Sequence, residues 1–176
     1  VADTNLIARL IRDVPDFPQP GVVFKDITPL LRDPAGFRAS IDALAEAAPP
    51  GIDVVMGMEA RGFIFGAPVA LALGAGFVPV RKPGKLPGAT LSESFALEYG
   101  QETLSVHEDA VLPGARVMIV DDVLATGGTI GATALLCQRL GADLVHVAVL
   151  LELGFLGGRT HLASLGIGDL AAVVTV

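Results

Sequence analysis

The chain has 176 residues, enough for one domain with a substantial core, and its net charge of −7 with a pI near 4.8 excludes a basic surface for non-specific nucleic-acid binding. At 52% hydrophobic residues and a mean hydropathy of +0.62 a membrane protein has to be considered, yet the 19 uncharged residues Gly62 to Val80 contain six Gly or Pro. They divide into a buried helix, a turn and a buried strand, so no membrane partner is expected. The single Cys137 excludes an intrachain disulfide and fits a reducing cytosol. No secretory leader is expected, because Val1 to Arg12 carries charge at helical spacing; the start at Val1 rather than Met suggests processing or an imposed boundary.

In chain order, Asp3 to Val14 reads as a short amphipathic helix ended by Pro15, Pro18 and Pro20. Val22-Val23-Phe24 is extended and leads into Lys25 and Asp26. Asp33-Pro34 is a cap and first-turn pair for a helix through Phe37, Ile41 and Leu44. Ile52 to Gly57 is a buried strand with Met58-Glu59-Ala60-Arg61-Gly62 at its carboxyl end, followed by a helix to about Leu73 and a strand at Phe77 to Val80. Arg81 to Leu91 is rich in Gly, Pro and Lys and is predicted mobile. Phe95 to Tyr99 and Thr103 to His107 alternate as a hairpin joined through Gly100-Gln101. Val117 to Val120 is a doubly buried strand ending on Asp121 and Asp122, with a helix over 128–140, a strand at Leu144 to Leu151, and a further strand at Ala171 to Val176 after a glycine-broken stretch.

Alternating strands and helices predict an α/β fold, a parallel β-sheet flanked by helices, in one domain spanning 1–176 with its ligand at the carboxyl ends of the strands. The most informative stretch is VMIVDDVLATGGTI. Ala125-Thr126-Gly127-Gly128-Thr129 is a small-residue turn opening a helix, where backbone N–H groups and the positive dipole end converge on an anion. Two carboxylates beside it cannot take the phosphate and suit sugar hydroxyls. Arg61, Arg81, Lys82 and Lys85 leave neighbouring strand ends and would offset the local negative charge. For these four the alternative is a solvated surface. His107, His146 and His161 have no metal-motif spacing, so no protein metal site is expected.

The strand, Asp-Asp and Thr-Gly-Gly-Thr sequence resembles the phosphoribosyl-pyrophosphate motif of type I phosphoribosyltransferases. PDFPQPGVVFKDITPLL, MEARGFIFG, FVPVRKPGKLPG, LEYG and LELGFLGGR extend the resemblance to the adenine phosphoribosyltransferase family over nearly the whole chain; the last 20 residues, GRTHLASLGIGDLAAVVTV with its neighbour, match weakly. The resemblance implies transfer of the 5-phosphoribosyl group from phosphoribosyl pyrophosphate to adenine, giving AMP and pyrophosphate. It also implies Mg²⁺ held mainly through the substrate, a cytoplasmic homodimer, a small hood (about 1–30 and 152–176) and a flexible β-hairpin loop (about 82–108).

By the same matching, Ala125 to Thr129 hold the 5′-phosphate and Asp121 and Asp122 the ribose. Arg61, Arg81, Lys82 and Lys85 address pyrophosphate, and Glu59-Ala60 falls where the family often has a cis peptide. Val23, Phe24 and Lys25 would sandwich and read the purine with Leu153 opposite, and Glu98 would handle the purine proton. Core packing is the alternative for Phe24, and an exposed carboxylate for Glu98. A 6-oxopurine transferase and a non-catalytic regulator of the same fold are competing readings; the second lacks any basic nucleic-acid module here.

Overall fold

The computed structural model describes residues 3–96 and 100–176. Its centre is a five-stranded parallel sheet of order β4-β3-β7-β8-β9, with β3 at Val54–Met58, β4 at Gly76–Val80, β7 at Arg116–Leu124, β8 at Asp143–Glu152 and β9 at Leu170–Thr175. The helix α4 (Arg61–Leu73) connects β3 to β4, α5 (Gly128–Arg139) connects β7 to β8, and α6 (Gly158–Ser164) connects β8 to β9.

Burial follows the two-residue period of the strands. Val117 and Ile119 of β7 pack with Ile130, Leu136 and Cys137 of α5 on one face. Met118 and Val120 pack with Phe65 and Val69 of α4 and with Leu44 of α3 (Pro34–Glu46) on the other. With helices on both faces, every one of these strand residues is removed from water, which is why the segment reads as an unbroken apolar run. The Cys137 thiol, with no exposed surface, is pushed up to about 11 by burial and then by Asp143. Asp33 caps α3 as expected, its carboxylate accepting from the Gly36 N–H at 2.7 Å, with Pro34 in the first turn. A five-residue helix, α2 (Thr28–Arg32), precedes it.

Three expectations change. The amino-terminal helix α1 covers only Thr4–Arg9, and Arg12–Pro15 is a strand, β1, antiparallel to β2 (Val23–Asp26). Cross-strand charge pairs, Arg12 with Asp26 and Lys25 with Asp13, favour that ribbon over a continued helix. The strand β7 runs past Val120 through both aspartates to Leu124, because its ladder with β8 continues to Leu124 opposite Glu152. The hairpin starts earlier: β5 is Thr90–Ala96, paired antiparallel with β6, Gln101–His107. Its base belongs to the core, since Leu104 and Val106 are buried and Arg81 and Ser105 exchange backbone hydrogen bonds of 2.9 and 2.7 Å. The glycine-broken stretch after β8 contains one 3₁₀ turn, Gly154–Leu156, before α6.

Along the chain the sheet grows from β3 to β4 on one side and then restarts with β7 on the other. The reversal of strand order therefore lies between β3 and β7, and the connections there leave in opposite directions and open a crevice above the strands' carboxyl ends.

Candidate active site

A cavity of about 200 Å³ occupies that crevice, walled by Glu59 to Arg61 after β3 and by Asp121 to Ile130 after and along the end of β7. Asp121, Asp122, Ala125, Thr126, Gly127, Gly128, Thr129, Glu59, Ala60 and Arg61 therefore share one space. The Glu59–Ala60 peptide is cis, as the resemblance implies.

The turn before α5 is shaped for an anion. Gly127 takes φ +87°, a conformation that side chains with a Cβ rarely adopt, and reverses the chain directly into the helix. No side chain caps α5, so the N–H groups of its first turn are left for a ligand at the positive end of a 12-residue helix. Thr126 and Thr129 stand in the same wall.

Beside it the two carboxylates are almost wholly buried, Asp121 at 7% and Asp122 at 5% exposure. The Asp121 Oδ1 accepts from the Asp122 N–H at 2.9 Å. Gly62 leaves room for it, since a Cβ there would lie 2.8 Å from that oxygen. Burial and then the Asp122 charge push the Asp121 carboxyl well above the usual carboxylate range. Burial also raises Asp122, opposed chiefly by Arg61, whose Nε lies 2.8 Å from its Oδ2. These are acceptors held out of water at fixed spacing, suited to hydroxyl donors.

Of the remaining cations, Arg81 is bound to the Glu59 carboxylate at 3.2 Å, and the same Glu59 oxygen accepts from the Lys82 N–H at 2.7 Å. Glu59 thus ties the end of β3 to the end of β4, and Arg81 reaches the cavity wall through it. The Arg81 Nη1 donates to the Lys85 carbonyl at 3.2 Å, which folds the Lys85 loop back. The Lys82 ammonium pairs with Glu102 of β6, which raises its pKa. Arg81, Lys82 and Lys85 lie outside the cavity wall itself.

On the opposite side, Phe24 is half-buried on β2, with Phe17 edge-on at 5.2 Å and the Arg61 guanidinium 5.6 Å from its ring centre. Arg61 therefore links the aromatic face to Asp122. Val23 is 49% exposed, and the Lys25 ammonium is held by Asp13 at 2.7 Å. Asp26, at the end of β2, is lowered to about 2 by the Thr28 backbone and side-chain hydrogen bonds and by Arg12. Leu153 is partly buried, and its N–H donates to the Leu124 carbonyl at 2.9 Å, directly before the turn. Glu98 lies outside the described residues.

Sequence reasoning missed several contributors. Phe95 of β5 rests on Gly128, where a Cβ would come within 2.6 Å of its ring. Glu102 and Asp13 engage the lysines, and Gly158 of α6 packs on the turn. Only Gly158 had a signal, its place in LELGFLGGR. A larger cavity of about 330 Å³ lies elsewhere, between α5, β8 and the α6–β9 loop beside His146, and none of the expected site residues lines it.

Residues 28–156 match the family described as phosphoribosyl transferase domain. The adenine phosphoribosyltransferase of Cutibacterium acnes is 65% identical over 172 residues, which cover 98% of this chain and 97% of that protein. That of Thermobifida fusca is 61% identical, covering 97% of each. The crystal structure of adenine phosphoribosyltransferase from Thermoanaerobacter pseudethanolicus aligns with a TM-score of 0.94 at 51% identity, covering 99% of this chain and 100% of that one. The Giardia lamblia enzyme complexed with 9-deazaadenine aligns with a TM-score of 0.92 at 37% identity, covering 100% and 99%. Similarity of this extent, over nearly the full length of both partners, establishes that the chain belongs to the phosphoribosyltransferase family, among its adenine phosphoribosyltransferases.

Proposed function

We infer that the chain is an adenine phosphoribosyltransferase, transferring the 5-phosphoribosyl group of phosphoribosyl pyrophosphate to adenine and releasing AMP and pyrophosphate, a purine-salvage reaction. The observation that carries this reading is the uncapped start of α5 sharing one crevice with two buried carboxylates, with Arg61 reaching from Asp122 to the ring of Phe24. One end suits a phosphate, the middle a ribose and the far end a flat base.

In this reading the Ala125 to Thr129 N–H groups bind the 5′-phosphate and fix the sugar. Asp121 and Asp122 accept from the ribose hydroxyls close to the anomeric carbon, where positive charge builds as its bond to pyrophosphate breaks. Arg61, Arg81, Lys82 and Lys85 attract the departing pyrophosphate. Phe24 and Leu153 hold the purine between them, with Val23 and Lys25 lending backbone groups to its edge. Glu98 takes the proton that the imidazole ring loses when N9 attacks. The β1–β2 ribbon and the carboxyl-terminal segment act as the hood, and the β5–β6 hairpin as the part that excludes water.

Mg²⁺ fits the donor set in one way only. Two adjacent hard carboxylates are present, and no group of three or more His, Cys, Asp or Glu that could hold a metal exists among the described residues. A Mg²⁺ bound chiefly by substrate oxygens suits that arrangement, and when bound it neutralises the pyrophosphate oxygens. A homodimer in the cytoplasm is the accompanying proposal. It is supported by the family's usual assembly, by the buried thiol of Cys137, and by the lack of a helix long and apolar enough to cross a membrane among the described residues.

The decisive assay supplies phosphoribosyl pyrophosphate and Mg²⁺ with each free base in turn and follows pyrophosphate. Release with adenine and formation of AMP is expected; turnover of hypoxanthine or guanine with adenine inert would overturn the base assignment.

A further inference from the structure

The segment that carries Leu153 contains little to hold itself in place. Between the end of β8 and the start of α6, the 3₁₀ turn Gly154–Leu156 buries no residue, and Phe155 is 75% exposed. Both ends of this loop nevertheless abut the phosphate turn. At one end the Leu153 N–H donates to the Leu124 carbonyl at 2.9 Å. At the other, Gly158 is so close that a Cβ would lie 2.3 Å from the Ala125 carbonyl oxygen, while a Cβ on Gly127 would lie 3.0 Å from the Gly158 carbonyl oxygen.

Across the base of the loop, Glu152 and Arg159 close a two-bond ion pair. The Arg159 Nε donates to the Glu152 Oε1 at 3.0 Å and its Nη2 to Oε2 at 2.6 Å, and its Nη1 donates to the Leu170 carbonyl of β9 at 3.0 Å. Glu152 is 6% exposed, whereas the Arg159 side chain is about half exposed. The planar guanidinium fixes both the distance and the angle between the two ends, which a single-point charge would not do. The Glu152 carbonyl also accepts from Val176, and the Val176 carbonyl from the Gly154 N–H, both at 2.9 Å, so the clamp joins β8, α6 and the carboxyl-terminal strand.

We propose that the Glu152–Arg159 pair is a positioning clamp that sets the separation between the purine-facing Leu153 and the 5′-phosphate turn, and so governs adenine recognition without touching substrate. This rests on the base and phosphate assignments of the proposed function. The phosphate turn is itself anchored by β7 and α5 in the core, so releasing the clamp displaces the 153–158 loop while the turn stays.

The test compares steady-state kinetics of the parent, Arg159→Met, Arg159→Lys and the charge-free pair Glu152→Gln/Arg159→Met. The double variant leaves no unpaired buried carboxylate and serves if Arg159→Met alone fails to fold. The expected result is a rise in KM for adenine of at least about tenfold in Arg159→Met and in the double variant. KM for phosphoribosyl pyrophosphate stays within about threefold, and Arg159→Lys is intermediate because it keeps charge without the fork. A parent that makes no AMP overturns the functional reading and the clamp together. A working parent with a folded double variant whose adenine KM is unchanged, or whose two KM values rise alike, overturns the clamp alone.

Discussion

The Arg61 guanidinium lies 2.8 Å from the Asp122 carboxylate and 5.6 Å from the centre of the Phe24 ring, so one side chain spans from the buried acid pair to the aromatic ring on β2. It pairs with a buried carboxylate and lies over an aromatic ring at once.

Arg61→Met is therefore expected to lower both stability and kcat/KM. Loss of one partner of a fully buried pair costs about 3–5 kcal/mol. Because Arg61 is 43% exposed, a discounted destabilisation of about 1–3 kcal/mol is expected from leaving Asp122 unpaired. Urea midpoints give the first quantity and initial rates with adenine the second. An Arg61→Met enzyme of parental stability and rate would remove Arg61 from the site.

Asp121 couples stability to pH with a definite sign. Its carboxyl is raised in the folded protein by burial and by Asp122, so the folded state binds this proton more tightly than the unfolded state. The corresponding stability is present below the unfolded-state carboxylate range and is lost as pH rises through the folded value. Asp121→Asn removes that loss. The variant should gain stability over the parent at pH 8, with the gain shrinking towards pH 4, while transferase activity collapses. Parallel stability–pH curves for the two proteins would contradict the burial argument.

Gly128 opens α5 directly against the ring of Phe95. In the proposed reading a Val there blocks backbone approach to the 5′-phosphate, and its Cβ would also press within 2.6 Å of the Phe95 ring, so that ring must shift as well. Overpacking of this kind costs about 1–3 kcal/mol. Gly128→Val is expected to abolish phosphoribosyl-pyrophosphate binding by calorimetry, and adding Phe95→Ala should recover stability but not affinity. Recovery of binding in the double variant would show that the phosphate lies elsewhere.

For Glu98, replacement by Gln keeps shape and hydrogen-bond reach while removing the titrating group. The expected loss in the chemical step is roughly 10²–10⁴-fold with little change in phosphoribosyl-pyrophosphate affinity, read by single-turnover rates so that slow product release does not mask it. A chemical step within a few-fold of the parent would leave catalysis to positioning and electrostatics.

Local chemistry made much of this protein legible in its sequence. The strand and turn at 117–130 announce themselves because a doubly buried strand is nearly continuously apolar, a glycine turn opening a helix suits an anion, and two adjacent acids break that apolar run. The Asp33-Pro34 cap is equally local, requiring only a carboxylate three residues from an N–H. Contacts between distant segments were not legible. Pairing with residues 23–26 turned 12–15 from helix to strand, and pairing with β8 carried β7 through its aspartates. Tertiary packing alone joined Arg61 to Phe24, Phe95 to Gly128, and Glu152 to Arg159 across a loop that docks on Ala125. Residue type and spacing fix what a short segment prefers. Which oxygen meets which guanidinium depends on how the sheet orders its strands, and that order is settled by burying both faces of the sheet at once.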